Sequence, residues 1–186
     1  RPGVLGVYPN EHLEPLLAQS TAAINATGAW ADGYTGAGIG IAVVDTGVDG
    51  THPDLCAAPE FCNGTAVKTV QNVKFLGNQA YLDPVVVLEN QISTDSSSGH
   101  GSHVSGIAAG LGTASTTPGK YRGVAPGAKL IGLGTGEALE VVTVLAAWDW
   151  ILANHANPAY NIKVVNNSWG PGSGAQYDPD EAVERG

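Results

Sequence analysis

A chain of 186 residues, 43% of them hydrophobic, suits one globular domain with a sizeable core and not a disordered tail. Its net charge of −9 argues against a nucleic-acid partner, which would need clustered Lys and Arg to meet phosphates. No apolar run approaches the roughly 20 residues of a membrane-spanning helix, so no membrane partner is expected.

Residues 1–19 read as an arm or connector, and residues 20–186 as the body of one domain. The opening Arg1-Pro2-Gly3 has no charged-then-apolar leader, so the signal of a secreted protein would already be gone. Ser20 or Thr21 is expected to cap a helix from Ala22 to about Trp30, which Gly28 weakens. A glycine-rich turn over Gly33–Gly38 leads into a buried strand, Ile39–Val44, that ends abruptly in Asp45-Thr46-Gly47. Asp49–Gly64 reads as loop, with His52-Pro53-Asp54 as a turn. Cys56 and Cys62, six positions apart in a polar stretch, are expected to form a local disulfide suited to an oxidising compartment. No further Cys or His is spaced to make them a metal site.

A strand is expected within Val67–Leu76, whereas residues 80–98 show no clear pattern. Small residues over Val104–Gly110 suit a helix packed close to a sheet. Ala128–Leu133 reads as a short strand, Val141–Asn154 as an amphipathic helix, and Ile162–Val165 as a strand ending in Asn166-Asn167-Ser168-Trp169-Gly170. Pro179 and the acids after it read like the first turns of a further helix. Strands alternating with helices imply an α/β fold, a parallel sheet with helices on both faces.

Two stretches carry the chemistry. Asp45 closes a buried strand, and His100 opens a helix inside Ser98-Gly99-His100-Gly101-Ser102-His103. A carboxylate and an imidazole placed so can meet at the C-terminal edge of a parallel sheet, as a base and its orienter that need a nucleophile to serve. His100 and His103, three apart, could instead bind a metal together with Asp45. Flanking Gly and Ser and the lack of a second carboxylate favour His103 as a histidine hydrogen-bonded in the helix–sheet interface. The glycines beside His100 are expected to clear space for something to approach its ring. Gly36-Ala37-Gly38-Ile39-Gly40 precedes its strand, and Gly132-Leu133-Gly134-Thr135-Gly136 lacks the full spacing and the later acid, so nucleotide binding is not indicated.

Val43-Val44-Asp45-Thr46-Gly47-Val48-Asp49, then His52-Pro53-Asp54-Leu55, then Gly99-His100-Gly101-Ser102-His103-Val104-Ser105-Gly106, then Gly123-Val124-Ala125-Pro126-Gly127-Ala128 resemble, in order and spacing, the signature blocks of the subtilisin-like serine proteases. The resemblance implies a three-layer subtilisin-like sandwich, incomplete in this chain, and a secreted endopeptidase made as a zymogen. Asp45 then corresponds to the triad aspartate, His100 to the general base and His103 to a structural histidine. Ser168-Trp169-Gly170 resembles the segment lining the primary specificity pocket, and Gly134-Thr135-Gly136 lies near the facing segment, so that a peptide or protein substrate is held between them as an added strand. Asp54 resembles a calcium ligand of some members. Leu111–Lys120 does not resemble their calcium loop, so structural calcium is an option and no cofactor is required for the chemistry. Arg1–Asn10 resembles the last strand of an inhibitory propeptide.

One departure stands out. The family's nucleophile lies in a Gly-Thr-Ser-Met-Ala block, and this chain has no methionine. None of Ser96, Ser97, Ser98, Ser102 and Ser168 sits in a strand-to-helix setting. The expectation is an N-terminal part whose partner, a C-terminal remainder, supplies the serine and the oxyanion Asn. Two other classes stay open: a peptide-binding domain without catalysis, and a metallohydrolase using Asp45, His100 and His103.

Overall fold

The computed structural model describes residues 17–77, 84–96, 98–117, 119–137 and 140–170. In chain order these form α1 (Leu17–Ala23), α2 (Ala26–Ala31), β1 (Gly40–Asp45), a single 3-10 turn (Pro59–Phe61), β2 (Thr69–Leu76), β3 (Val86–Leu88), α3 (His100–Ala109), β4 (Lys129–Gly134), α4 (Val141–Asn154) and β5 (Ile162–Asn166). The expected propeptide-like strand over residues 1–10 and the expected helix after Pro179 lie outside the described residues.

The sheet runs β3-β2-β4-β1-β5. β2, β4, β1 and β5 are parallel, and β3 adds an antiparallel edge. Every residue of β1 is buried, because helices cover both faces. Side chains alternate along a strand. Ile41 and Val43 therefore join Ala109, Leu130 and the inner side of α3, while Ala42 and Val44 join Ile131, Leu133 and the α4 residues Val144, Ala147 and Ile151. This is the expected α/β sheet with helices on both faces. It brings the ends of β1, β4 and β5 to one edge.

The structure corrects the expected N-terminal helix and adds a strand that the sequence did not show. The helix expected over 22–30 is two helices, and the first begins at Leu17, upstream of Ser20 and Thr21. Asn25 breaks it with a left-handed backbone, φ 57°. Gly28 marks that break, because a Cβ there would stand 2.6 Å from the Asn25 side-chain oxygen. β3 lies in the stretch that showed no pattern: its three apolar residues are all exposed, so burial imposes no period on them.

Cys56 and Cys62 form the expected disulfide, with both residues buried. Lys68 is also buried. Its ammonium donates to the carbonyls of Pro126 at 2.7 Å and Ala128 at 2.5 Å, and burial pushes its pKa down to about 8.

Candidate active site

Asp45 ends β1 with no exposed surface, and His100 opens α3 with its side chain 47% exposed. Their side chains meet, His100 Nδ1 to Asp45 Oδ1, at 2.7 Å. An ionised carboxylate only accepts hydrogen bonds, so this contact puts the hydrogen on Nδ1 and leaves the Nε2 lone pair as the acceptor. The same Oδ1 accepts the Thr46 N–H at 2.7 Å, whereas Oδ2 is buried and has no hydrogen-bond partner among the described residues. One residue along, the Thr46 hydroxyl accepts the Gly101 N–H at 3.0 Å. Asp45-Thr46 thus holds His100-Gly101 by two adjacent bonds.

Close backbone contact makes this grip fit. Gly47 has φ 134°, and a Cβ on it would stand 2.1 Å from the Thr94 carbonyl oxygen. Thr94 in turn accepts the Val48 N–H at 3.0 Å and donates to Asn72 Oδ1 at 2.7 Å, while Asn72 Nδ2 donates to the Val48 carbonyl at 2.9 Å. Chain leaving β1 is therefore fixed from β2 by a buried, paired polar set. Sequence reasoning missed this brace, and also the role of Ser102, whose hydroxyl accepts the Asp49 N–H at 2.8 Å. The signal in the sequence was limited to the nearness of Ser102 and Thr94 to His100, and Asn72 carried none. The Asp95 carboxyl is pushed up from its ordinary pKa, chiefly by burial, against the pull of a hydrogen bond from Ser102 and with a further push from Asp49.

Two expectations around His100 change. Gly101 does not open the ring to visitors. It is buried, and a Cβ on it would stand 2.3 Å from the Gly47 carbonyl oxygen, so this glycine lets α3 lie on the β1 turn. His103 is exposed, not in the helix–sheet interface. The buried face of α3 runs through Gly101, Ser105 and Ala109, four apart, and His103 falls off that stripe. It lines a separate cavity of about 620 Å³ with Asp49, His52, Asp95 and Tyr121. The metallohydrolase trio of Asp45, His100 and His103 is therefore not assembled, and among the described residues no group of three or more His, Cys, Asp or Glu is placed to hold a metal. Asp54, the residue that resembles a calcium ligand, accepts the Thr113 N–H, the Thr113 hydroxyl and the Ala114 N–H on its Oδ1.

The two expected substrate walls flank this site unequally. Gly134 and Thr135 are buried, Gly134 in the ladder opposite Asp45, so only Gly136 of that wall reaches the surface. On the other side Ser168 and Gly170 are exposed, while Trp169 packs partly buried on the core and donates its indole N–H to the Val44 carbonyl at 3.0 Å. Of the serines weighed above, Ser96 bonds Ser98, Ser102 bonds Asp49 and Ser168 bonds Asn166, and Ser97 lies outside the described residues.

The chain is similar in sequence to known proteins. The chain is 34% identical over 158 residues to bacillopeptidase F of Bacillus subtilis, covering 81% of this chain and 10% of that protein. It is 30% identical over 184 residues to the serine protease AprX of the same species, covering 94% of this chain and 35% of that protein. It is 36% identical over 156 residues to fervidolysin of Fervidobacterium pennivorans, covering 81% of this chain and 19% of that protein. The chain thus spans between a tenth and about a third of the length of these relatives. Residues 36–185, which include Asp45, His100 and both walls, match the subtilase family, and the chain belongs to that family.

Proposed function

We propose that this chain is the base-bearing part of a serine endopeptidase, with Asp45 as the orienter and His100 as the general base. The observation that carries the reading is the 2.7 Å bond between a fully buried carboxylate and a half-exposed imidazole. Support also comes from relatives named as serine proteases.

His100 Nε2 takes the proton of a serine hydroxyl as that oxygen attacks the peptide carbonyl, and returns it to the leaving amine as the acyl-enzyme forms. Water then gives a proton to Nε2 as its oxygen attacks the acyl carbon, and the imidazolium returns that proton to the serine oxygen as the acyl–oxygen bond breaks and the acid product leaves. Asp45 keeps the ring in the Nδ1–H tautomer and stabilises the imidazolium in between. The nucleophilic serine and the oxyanion donor come from outside these 186 residues. A substrate lies extended between Gly136 and the segment Ser168–Gly170, taking strand-like hydrogen bonds. One relative is named an extracellular and another an intracellular protease, and it is the Cys56–Cys62 bridge, suited to an oxidising compartment, that favours an extracellular site of action.

The test is hydrolysis of an unstructured peptide by the protein isolated with every polypeptide that accompanies it. Asp45→Asn should lower kcat by about 10⁴-fold, because the amide favours the wrong tautomer. Turnover that survives Asp45→Asn sinks the assignment. Peptide binding with no turnover in the wild type would leave a binding domain instead.

A further inference from the structure

The end of β1 is gripped from both sides by the two segments read as walls of the peptide groove. β5 pairs with β1 only as far as Val43 and Asn166. The carbonyl of Val44 then receives the Trp169 indole N–H at 3.0 Å. On the other side, pairing with β4 ends at Asp45 and Gly134. The carbonyl of Asp45 next receives the Thr135 N–H at 2.8 Å and the Thr135 hydroxyl at 3.1 Å. The peptide carbonyls on either side of the Asp45 Cα are thus fixed by Trp169 and by Thr135.

We propose that Trp169 is a positioning residue for the Asp45–His100 pair: its indole N–H sets the tilt of the Val44–Asp45 peptide and with it the direction of the Asp45 carboxyl. Three observations carry this. The indole bond begins where the β1–β5 ladder stops, so it is the next restraint on this peptide from that side. The Trp169 ring packs on the cluster that holds Ala42 and Val44, so its own place is fixed. Asp45 Oδ1 serves both Thr46 and His100 while Oδ2 has no partner among the described residues, so none of them holds Oδ2 against a rotation of the carboxyl. Holding the peptide through a side chain also ties the groove wall to the dyad while Ser168 and Gly170 stay exposed to a substrate.

The inference rests on the reading of Asp45 and His100 as orienter and base, and the test separates the two. Trp169→Phe keeps a ring and removes the N–H. Nitrogen-15 spectra of neutral His100, in the protein isolated with every polypeptide that accompanies it, report which ring nitrogen carries the hydrogen. The wild type should be Nδ1–H. In Trp169→Phe the ratio of Nδ1–H to Nε2–H should fall between about three- and tenfold, the scale of one hydrogen bond. Thr135→Val, which removes the hydroxyl bond and keeps the N–H bond, should give a smaller fall in the same direction, and it carries the test if Trp169→Phe does not fold. A ratio that stays at the wild-type value, even with a lowered melting temperature, makes the bond merely structural and overturns the proposal. A wild-type ring already in the Nε2–H form overturns the dyad reading itself.

Discussion

Gly101 of α3 and Gly47 of the β1 turn touch backbone to backbone, with room for no Cβ between them: one built on Gly101 would stand 2.3 Å from the Gly47 oxygen. His100 reaches Asp45 only because the helix lies this close. Gly101→Ala should therefore destabilise the fold by about 1–3 kcal/mol through overpacking. Gly106→Ala, on the same helix with nothing within 4 Å of its Cβ, should be neutral or stabilising by up to about 1 kcal/mol through helix propensity. Chemical denaturation of the two variants checks the contrast. Equal effects would deny that this contact sets the helix height.

Lys68 links stability to alkaline pH. Its folded pKa, about 8, lies below the ordinary 10.5. Between those values the unfolded chain binds the extra proton, so stability rises with pH across that window, and below about 8 the cost of the buried charge is fully present. The rise should be on the order of 3 kcal/mol at most. Lys68→Met should lack it, on top of a pH-independent loss from the two abandoned carbonyls. Unfolding free energies of both proteins between pH 7 and 10.5 measure the difference. Parallel curves would show that Lys68 keeps its ordinary pKa.

The disulfide closes a short loop, its cysteines six positions apart. Chain entropy for so short a loop gives about 2 kcal/mol of stabilisation. The double variant Cys56→Ala, Cys62→Ala should lose at least that much in denaturant unfolding, since both truncated side chains are also buried. A loss well below this would mean that the bridge does not constrain the unfolded chain.

Much of the fold was legible because burial leaves a period. β1 carries six buried residues between two covered faces, and α4 matches its expected bounds because its apolar residues recur at helical spacing. β3 left no such trace, being exposed along its whole length. The split between α1 and α2 turns on one left-handed Asn25, which propensity does not announce. At the site, Asp45 and His100 were legible as residue types at the end of a strand and the start of a helix. His103 was misplaced because the buried stripe of α3 follows Gly101 and Ser105, and a residue two positions from each lies about 200° round the helix from them. The Trp169 bond was out of reach, because it joins residues 125 positions apart.

The most direct measurement is intact mass spectrometry of the isolated protein after treatment with a serine-directed fluorophosphonate. The account predicts one label on a serine outside these 186 residues, formed in the wild type and absent in His100→Ala, because Asp45 and His100 activate that serine. A label on Ser96, Ser98, Ser102 or Ser168, or labelling that persists without His100, would contradict it.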